Sequence, residues 1–136
     1  MKSSDLMVGD WVLLFGRTTA KVDCIGNVEV YLSAADTGDW RTTYEHIRPI
    51  PLTPEILHAN GIQLVEVGDN GISTPAKFRN RFEKWSIHTE WRDTWLWYDR
   101  TTQRYSLHDM NGAQFKMVHE LQHALRLAGI QKDIAL

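Results

Sequence analysis

Residues 11–32 read WVLLFGRTTAKVDCIGNVEVYL, a stretch in which short β-favouring runs alternate with turns. Gly16-Arg17 interrupts the first run, and Gly26-Asn27 is a two-residue hairpin signal before the third. The segment from Trp40 to Ile47 continues the pattern, which stops at Pro49 because proline has no backbone N–H to donate to a ladder. About four or five short antiparallel strands in so few residues predict a small, strongly bent β-barrel of the Src-homology-3 type.

The next part of the chain combines a helix start with a hairpin. Thr53 is a good N-cap and Pro54 suits the first helical position, so a helix of about two turns is predicted there. Residues 62–67 then predict a strand. Residues 93–99 and 104–108 predict a hairpin in which alternate side chains share a face.

The last element is an amphipathic helix that ends at Gly129. Apolar residues recur along it at helical spacing: Phe115, Val118, Leu121, Leu125 and Ala128. We expect this helix to pack on the antiparallel sheet, whose sequence carries four of the six tryptophans, at positions 85, 91, 95 and 97. Large rings bury much area each, so we interpret these tryptophans as a sheet core, with a ligand-stacking surface as the alternative.

The predicted fold class is therefore α+β. A small β-barrel-like subdomain occupies residues 1–51, and an α+β subdomain of helix, antiparallel sheet and C-terminal helix occupies residues 52–136. Residues 73–85 stay open between helix and strand, because Phe78, Phe82 and Trp85 fit a helical stripe while the same run can extend into a strand.

The composition of the chain limits the classes of protein to which it can belong. With 136 residues and 43% hydrophobic content, the chain is long enough to fold without disulfides or metals. The net charge of -2 gives no global attraction to nucleic acid or to anionic lipid. The N-terminal residues lack the apolar run of a signal peptide, and no stretch has the length of a membrane span, so we expect a cytoplasmic protein with no membrane partner. The single cysteine, Cys24, lies in an alternating context that predicts a buried, small apolar role.

One pentapeptide suggests a definite chemistry. His119-Glu120-Leu121-Gln122-His123 fits the H-E-x-x-H pattern of zinc metalloproteases, in which two histidines on one helix face bind the metal and the glutamate acts as general base. On a helical projection, however, His119 and His123 lie away from the apolar stripe, beside Arg126 and Lys116. No His or Glu follows His123, where the only carboxylates are Asp133 and the C-terminus, so a third ligand could come from upstream, for example from His108 or Asp109.

We therefore interpret this face as a solvated polar helix face. A zinc site with His119 and His123 as ligands and Glu120 as the catalytic base is the alternative. The other four histidines, at positions 46, 58, 88 and 108, are not spaced as metal ligands, and we expect them to have ordinary polar roles.

A second candidate lies in residues 77–85, which read KFRNRFEKW. Cations interleave with rings there, so the cations could contact phosphates while the rings stack on bases, as in single-strand binding. The nucleic-acid-binding candidates are Lys77, Arg79, Arg81 and Lys84. The alternative keeps the rings in the core with the cations solvated around them.

Three landmarks in this order resemble those of a family of small proteins of unknown function. The landmarks are Leu6 to Val12, Ile50 to Leu57 followed by Asn60-Gly61-Ile62, and Val118 to His123. The family is found in Bacteroides-like gut bacteria, their prophages and their mobile elements. The resemblance implies a cytoplasmic bacterial or phage origin, and it implies that the recurring part of the closing landmark is His119-x-Leu121-Gln122.

Together these observations favour a non-enzymatic accessory or binding protein without a cofactor. A nucleic-acid-binding module using residues 77–85 is one alternative, and a zinc-dependent hydrolase using residues 119–123 is another. A protein partner is the third candidate, for which an exposed tryptophan cluster would supply the surface.

Overall fold

The computed structural model describes residues 1–65, 80–110 and 113–136. They form an α+β protein with two antiparallel sheets, as the sequence predicts. The chain divides into two compact units. Unit 1 comprises Met1–Pro51, Met117–His123 and Leu136, and unit 2 comprises Leu52–Lys116 and Ala124–Ala135. The sequence predicts one subdomain over residues 52–136, and of these residues 117–123 and Leu136 belong to unit 1.

Unit 1 is built on five short strands. They are β1 (Trp11–Leu14), β2 (Thr18–Ile25), β3 (Glu29–Ala34), β4 (Gly38–Thr43) and β5 (Ile47–Pro49). Short 3-10 turns cover Ser3–Asp5 and Tyr44–His46. The sheet order is β4-β3-β2-β1-β5, so that the last strand returns to pair with the first.

The core of unit 1 comes from alternate residues of these strands, as expected for a sheet with one buried face. Its buried members are Leu6, Val12, Leu14, Ala20, Val22, Val30, Leu32, Ala34 and Ile47. Cys24 does not join them, and the prediction of a buried cysteine is wrong. The pairing of β2 with β3 shifts between Val22 and Cys24, and this β-bulge adds a residue that turns Cys24 outward.

A closed barrel is not confirmed. Among the described residues, β4 and β5 are the edges of an open order, and no ladder joins them. The finding of a five-stranded antiparallel sheet stands, while the Src-homology-3-like closure remains a prediction.

Unit 2 contains the second sheet and its helices. Helix α1 (Pro54–Ala59) begins where the sequence predicts, because the Thr53 hydroxyl accepts the N–H of Ile56 at 3.3 Å. The strands are β6 (Gln63–Val65), β7 (Phe82–His88), β8 (Asp93–Asp99), β9 (Arg104–Leu107) and β10 (Gln114–Phe115), in the order β10-β9-β8-β7-β6. The predicted hairpin around residues 100–103 is confirmed by the pairing of β8 with β9.

The open question at residues 73–85 is answered for its last part only. Residues 82–85 belong to strand β7, and residues 73–79 lie outside the described residues.

The tryptophans of the sheet differ in environment. Trp85 is buried in the core, Trp95 and Trp97 are half-buried on the opposite face, and Trp91 is exposed, so the core interpretation holds for Trp85 and is wrong for Trp91.

The final helix, α2, spans Val118–Leu127. Phe115 belongs to β10, so the helix begins later than the apolar spacing predicts. The residues through His123 belong to unit 1 and the remainder to unit 2. Gly129 follows the helix with a φ of +72°, the left-handed conformation expected of a glycine after a helix end.

Candidate functional site

The side chain of Gln122 ties helix α2 to the backbone that leads into β1. Its amide nitrogen donates to the Gly9 carbonyl at 3.0 Å, and its amide oxygen accepts the Trp11 N–H at 3.0 Å. Gln122 is buried, so each of these bonds satisfies a group that water reaches poorly. One side chain thereby serves two peptide groups of a single loop.

The neighbouring residue makes a second tie. His123 places its Nε2 at 2.6 Å from Oδ2 of Asp10, whose side chain is fully buried. The same Asp10 oxygen accepts the Met7 N–H at 2.8 Å, which fixes the carboxylate within its own loop. We call this group, made of Gly9, Asp10, Trp11, Gln122 and His123, the clasp.

His119 lies beside the clasp and is 7% exposed. The prediction of a solvated polar face is therefore wrong for this residue, because the residue 9–11 loop packs where the helical projection alone predicts water. The His119 and His123 rings meet edge to face with centroids 5.5 Å apart. Burial lowers the pKa of His119, and the negative charge of Asp10 raises it by a smaller amount. The Nδ1 of His119 has no hydrogen-bond partner among the described residues.

Two side chains of the H-E-x-x-H motif contact other residues of the chain. The Glu120 carboxylate accepts the Met117 N–H at 3.1 Å, capping the helix start, and His123 faces Asp10. Within residues 1–65, 80–110 and 113–136, no three or more His, Cys, Asp or Glu side chains are grouped so that they could hold a metal ion. A tetrahedral zinc site needs such a set.

The clasp brings residues of the first and the closing sequence landmarks into contact. The first landmark supplies Gly9, Asp10 and Trp11, and the closing landmark supplies Gln122 and His123. The middle landmark joins them, because the Ile50 carbonyl accepts the Val118 N–H at 2.8 Å. The motif that suggests catalysis therefore carries side chains that hold unit 1 together.

The basic and aromatic segment is only partly described. Lys77 and Arg79 lie outside the described residues. Arg81 makes two hydrogen bonds to Asp99, at 3.1 and 2.9 Å, and these lower the pKa of the Asp99 carboxyl to about 2. Because Asp99 neutralises its charge, Arg81 offers less to a phosphate than its sequence context indicates.

Lys84 lies on the outward face of the second sheet. Its ammonium sits 4.4 Å from the centroid of the Trp95 ring, and the His108 ring stacks on Trp95 with centroids 3.7 Å apart. Since other side chains already contact the Trp95 ring, it is a poor platform for a stacked base. Trp85 is in the core and cannot stack on a ligand either.

Another feature, absent from the sequence-based candidates, is a cleft in unit 1. It has a volume of about 420 Å³ and is lined by Phe15, Gly16, Arg17, Glu45, His46 and Arg48. We call it the Phe15 cleft. The β1–β2 turn supplies one wall, and the 3-10 turn with the start of β5 supplies the other.

Phe15 has an unusual backbone conformation for its residue type. The Arg17 N–H donates to the Leu14 carbonyl at 3.1 Å, closing a turn in which Phe15 and Gly16 have φ of +53° and +69°. Turns with positive φ at both central residues favour Asn-Gly, so a phenylalanine there is held at a cost. The Phe15 N–H donates to the His46 carbonyl at 2.9 Å, which joins the two walls.

Hydrogen bonds hold the rings that contact Phe15. Phe15 is 45% exposed and makes an edge contact with Trp40, at 5.7 Å between centroids, while the His46 ring lies 5.2 Å away. The Trp40 indole N–H donates to the Thr37 hydroxyl at 2.8 Å, and the Thr42 hydroxyl lies 2.8 Å from His46 Nδ1. These bonds fix the rings that back Phe15.

The charge of the cleft is positive. Arg17 and Arg48 are exposed, and neither has an ion-pair partner among the described residues. Glu45 contributes one negative charge, and its carboxylate already accepts the Thr43 hydroxyl at 3.1 Å. The cleft is thus lined by two guanidinium groups without an ion-pair partner among the described residues and by a partly exposed ring.

Comparison of the chain with protein-family models, with curated protein sequences and with solved structures yields no match. Over the part of the chain that the structure describes, no helix is long and apolar enough to cross a membrane.

Sequence reasoning missed the Phe15 cleft for a physical reason. The residues come from two segments, 15–17 and 45–48, and only the pairing of β1 with β5 brings the segments together. One local signal was available. The turn after β1 carries Phe-Gly where a tight hairpin prefers Asn-Gly, and an aromatic residue at such a position indicates a requirement other than folding.

Proposed function

We propose that this is a non-enzymatic binding protein that takes an anionic ligand in the Phe15 cleft, working in the cytoplasm as an accessory factor of a phage or mobile element. The observation that carries the proposal is the pair of arginines, Arg17 and Arg48, which line the cleft and have no ion-pair partner in the described parts of the chain. Unpaired guanidinium groups are typical of sites that bind carboxylate or phosphate.

The clasp supports a non-enzymatic role. In a zinc hydrolase the two histidines of the H-E-x-x-H motif bind the metal, and the glutamate activates a water. Here two of the three corresponding side chains make structural contacts: His123 with Asp10 and Glu120 with the Met117 N–H. The motif therefore has a structural explanation that requires no metal.

The order of strands supports a small barrel of the Src-homology-3 type as the scaffold of the cleft. Four strands follow one another as a meander, a 3-10 turn comes next, and β5 returns to β1. Small barrels of this kind bind ligands through loops that a rigid sheet holds in position. The Phe15 cleft lies at two such connections.

A titration with inorganic tripolyphosphate tests the proposal, because this probe carries negative charge and no ring. At low salt we expect the backbone amide resonances of Gly16, Arg17 and Arg48 to shift with a saturable dependence. The double variant Arg17→Gln/Arg48→Gln should lose the shifts. The control, Lys21→Gln/Arg104→Gln, removes the same charge from exposed positions outside the cleft and should keep them.

Two results would overturn the proposal. One is an absence of saturable shifts at low salt. The other is an equal loss of binding in the two double variants, which would mean that the anion responds to overall charge rather than to the cleft.

A further inference from the structure

We infer that the anionic ligand of the Phe15 cleft is single-stranded nucleic acid, with one base against the Phe15 ring and the flanking phosphates at Arg17 and Arg48. The inference rests on the proposed function, since it names the ligand of the same cleft. It differs from the sequence-based hypothesis, which places nucleic acid at residues 77–85 of unit 2.

The first argument is the combination of ring and cation. Phe15 is 45% exposed and lines the cleft, and Arg17 follows it by two residues in the same turn. Binding of single strands combines cations that follow the backbone with aromatic rings on which bases stack. Inorganic phosphate would use the arginines only and would leave the ring without a role.

The second argument is the conformation of Phe15. An asparagine or glycine would fit the positive φ of this turn at lower cost, yet the chain holds a large apolar side chain there that stays partly in solvent. Strained residues persist where the surrounding structure fixes them, and they cluster at ligand sites. The ring is therefore presented to a ligand rather than used for packing of the core.

The third argument selects a single strand over a duplex. A base stacks on a side chain only when it is not stacked in a helix, so a duplex offers only its phosphates to this cleft. A volume of about 420 Å³ is large enough for one splayed nucleotide. An acidic peptide supplies carboxylates but no flat base, so it would leave the Phe15 ring unused.

Fluorescence anisotropy with a labelled ten-nucleotide oligothymidylate tests the inference. Replacing the ring by Phe15→Leu should weaken binding roughly 5- to 150-fold, because stacking of one base on an aromatic ring contributes about 1–3 kcal/mol. Phe15→Trp should restore binding, since it restores a ring. The double variant Arg17→Gln/Arg48→Gln should weaken binding and lower the salt slope of log K by about 1.4, the value for two phosphates of a single strand.

Matched controls separate the cleft from the rest of the surface. Trp91→Leu removes an exposed ring that lies outside the cleft, and it should leave affinity unchanged. Lys21→Gln/Arg104→Gln should leave the affinity within about twofold. Circular dichroism of every variant shows whether it is folded, and the rescue by Phe15→Trp keeps the test decisive if Phe15→Leu is unstable.

The outcomes distinguish the inference from the proposed function. Binding of tripolyphosphate without binding of the oligonucleotide overturns the inference and leaves the proposed function standing. Failure of both overturns both. Equal affinity for a duplex of the same sequence, for an oligonucleotide of abasic residues, or for a glutamate-rich peptide also overturns the inference, because none of these requires a base on Phe15.

Discussion

Phe15 combines a backbone conformation that phenylalanine rarely adopts with a side chain left partly in solvent. The left-handed region costs an ordinary L-residue about 1–2 kcal/mol, and asparagine tolerates it. Replacing Phe15 by asparagine loses the edge contact with Trp40, worth about 0.5–1.5 kcal/mol. We therefore expect Phe15→Asn to leave the free energy of unfolding unchanged or to raise it by up to about 1 kcal/mol, as measured by urea denaturation.

Phe15→Ala is the matched comparison, because it also removes the ring but keeps a residue that disfavours positive φ. It should be less stable than Phe15→Asn. Gln103 is the other non-glycine residue with positive φ among the described residues, and Gln103→Asn should relieve strain without touching the cleft. A drop of more than about 1 kcal/mol in Phe15→Asn would show that Phe15 serves packing, which contradicts a ligand-facing role.

His119 gives stability a dependence on pH. Burial lowers the pKa of His119 in the folded protein, so the unfolded chain binds a proton at this residue more readily. The free energy of unfolding therefore falls as pH falls through the ordinary histidine pKa of about 6.5. His119→Leu should remove this part of the decline between pH 7.5 and pH 5, measured as the urea midpoint at each pH.

The charged and titratable groups that act on His119 are Asp10, His123, Glu120 and Asp5. They stay in place in His119→Leu, so the difference between variant and parent isolates this one imidazole. Asp99 does not interfere, because its lowered pKa of about 2 affects stability only in more acidic solution. An identical decline in both proteins would rule out His119 as its source.

At the scale of elements, the contact between helix α2 and the loop before β1 depends on Gln122. Its two hydrogen bonds satisfy the Gly9 carbonyl and the Trp11 N–H. Gln122→Ala leaves both groups without these partners, and we expect a loss of about 1–3 kcal/mol in the free energy of unfolding. Gln131→Ala, at an exposed position after the helix, is the control and should change stability by less than about 0.5 kcal/mol.

A comparable loss in the two glutamine variants would contradict this role. Amide hydrogen exchange gives an independent measurement, since the Trp11 N–H should exchange faster in Gln122→Ala than in the parent protein. Glu120→Gln is a second comparison. Its amide oxygen can still accept the Met117 N–H, so the helix start should keep its cap.

Across the whole molecule, local sequence signals predicted where helices and strands lie better than they predicted which side chains are buried. Thr53 and Pro54 predicted the start of α1 because capping depends on adjacent residues. Cys24 was predicted on the wrong face because a β-bulge depends on the pairing of two strands. His119 was predicted in solvent because a helical projection contains no information about a loop more than a hundred residues earlier in the chain.

The same distinction applies to the two candidate sites. The H-E-x-x-H motif was visible because its residues are consecutive, yet the contacts of Glu120 and His123 are structural. The Phe15 cleft was not visible because its arginines lie on separate segments. A site assembled by strand pairing can be found from sequence only after the register is known.

The metal question belongs to the whole molecule, because removal of a structural metal changes global stability. The protein has a hydrophobic core in unit 1, and Glu120, Gln122 and His123 of the H-E-x-x-H motif contact other residues of the chain. We therefore expect protein purified without chelator to hold less than stoichiometric zinc by elemental analysis. Its thermal midpoint should be the same with and without EDTA. The opposite result would be stoichiometric zinc in the parent protein that is retained in Lys21→Gln and is lost, together with stability, in His119→Leu. It would show that the motif binds metal in solution. The hydrolase alternative would then replace the binding function proposed above.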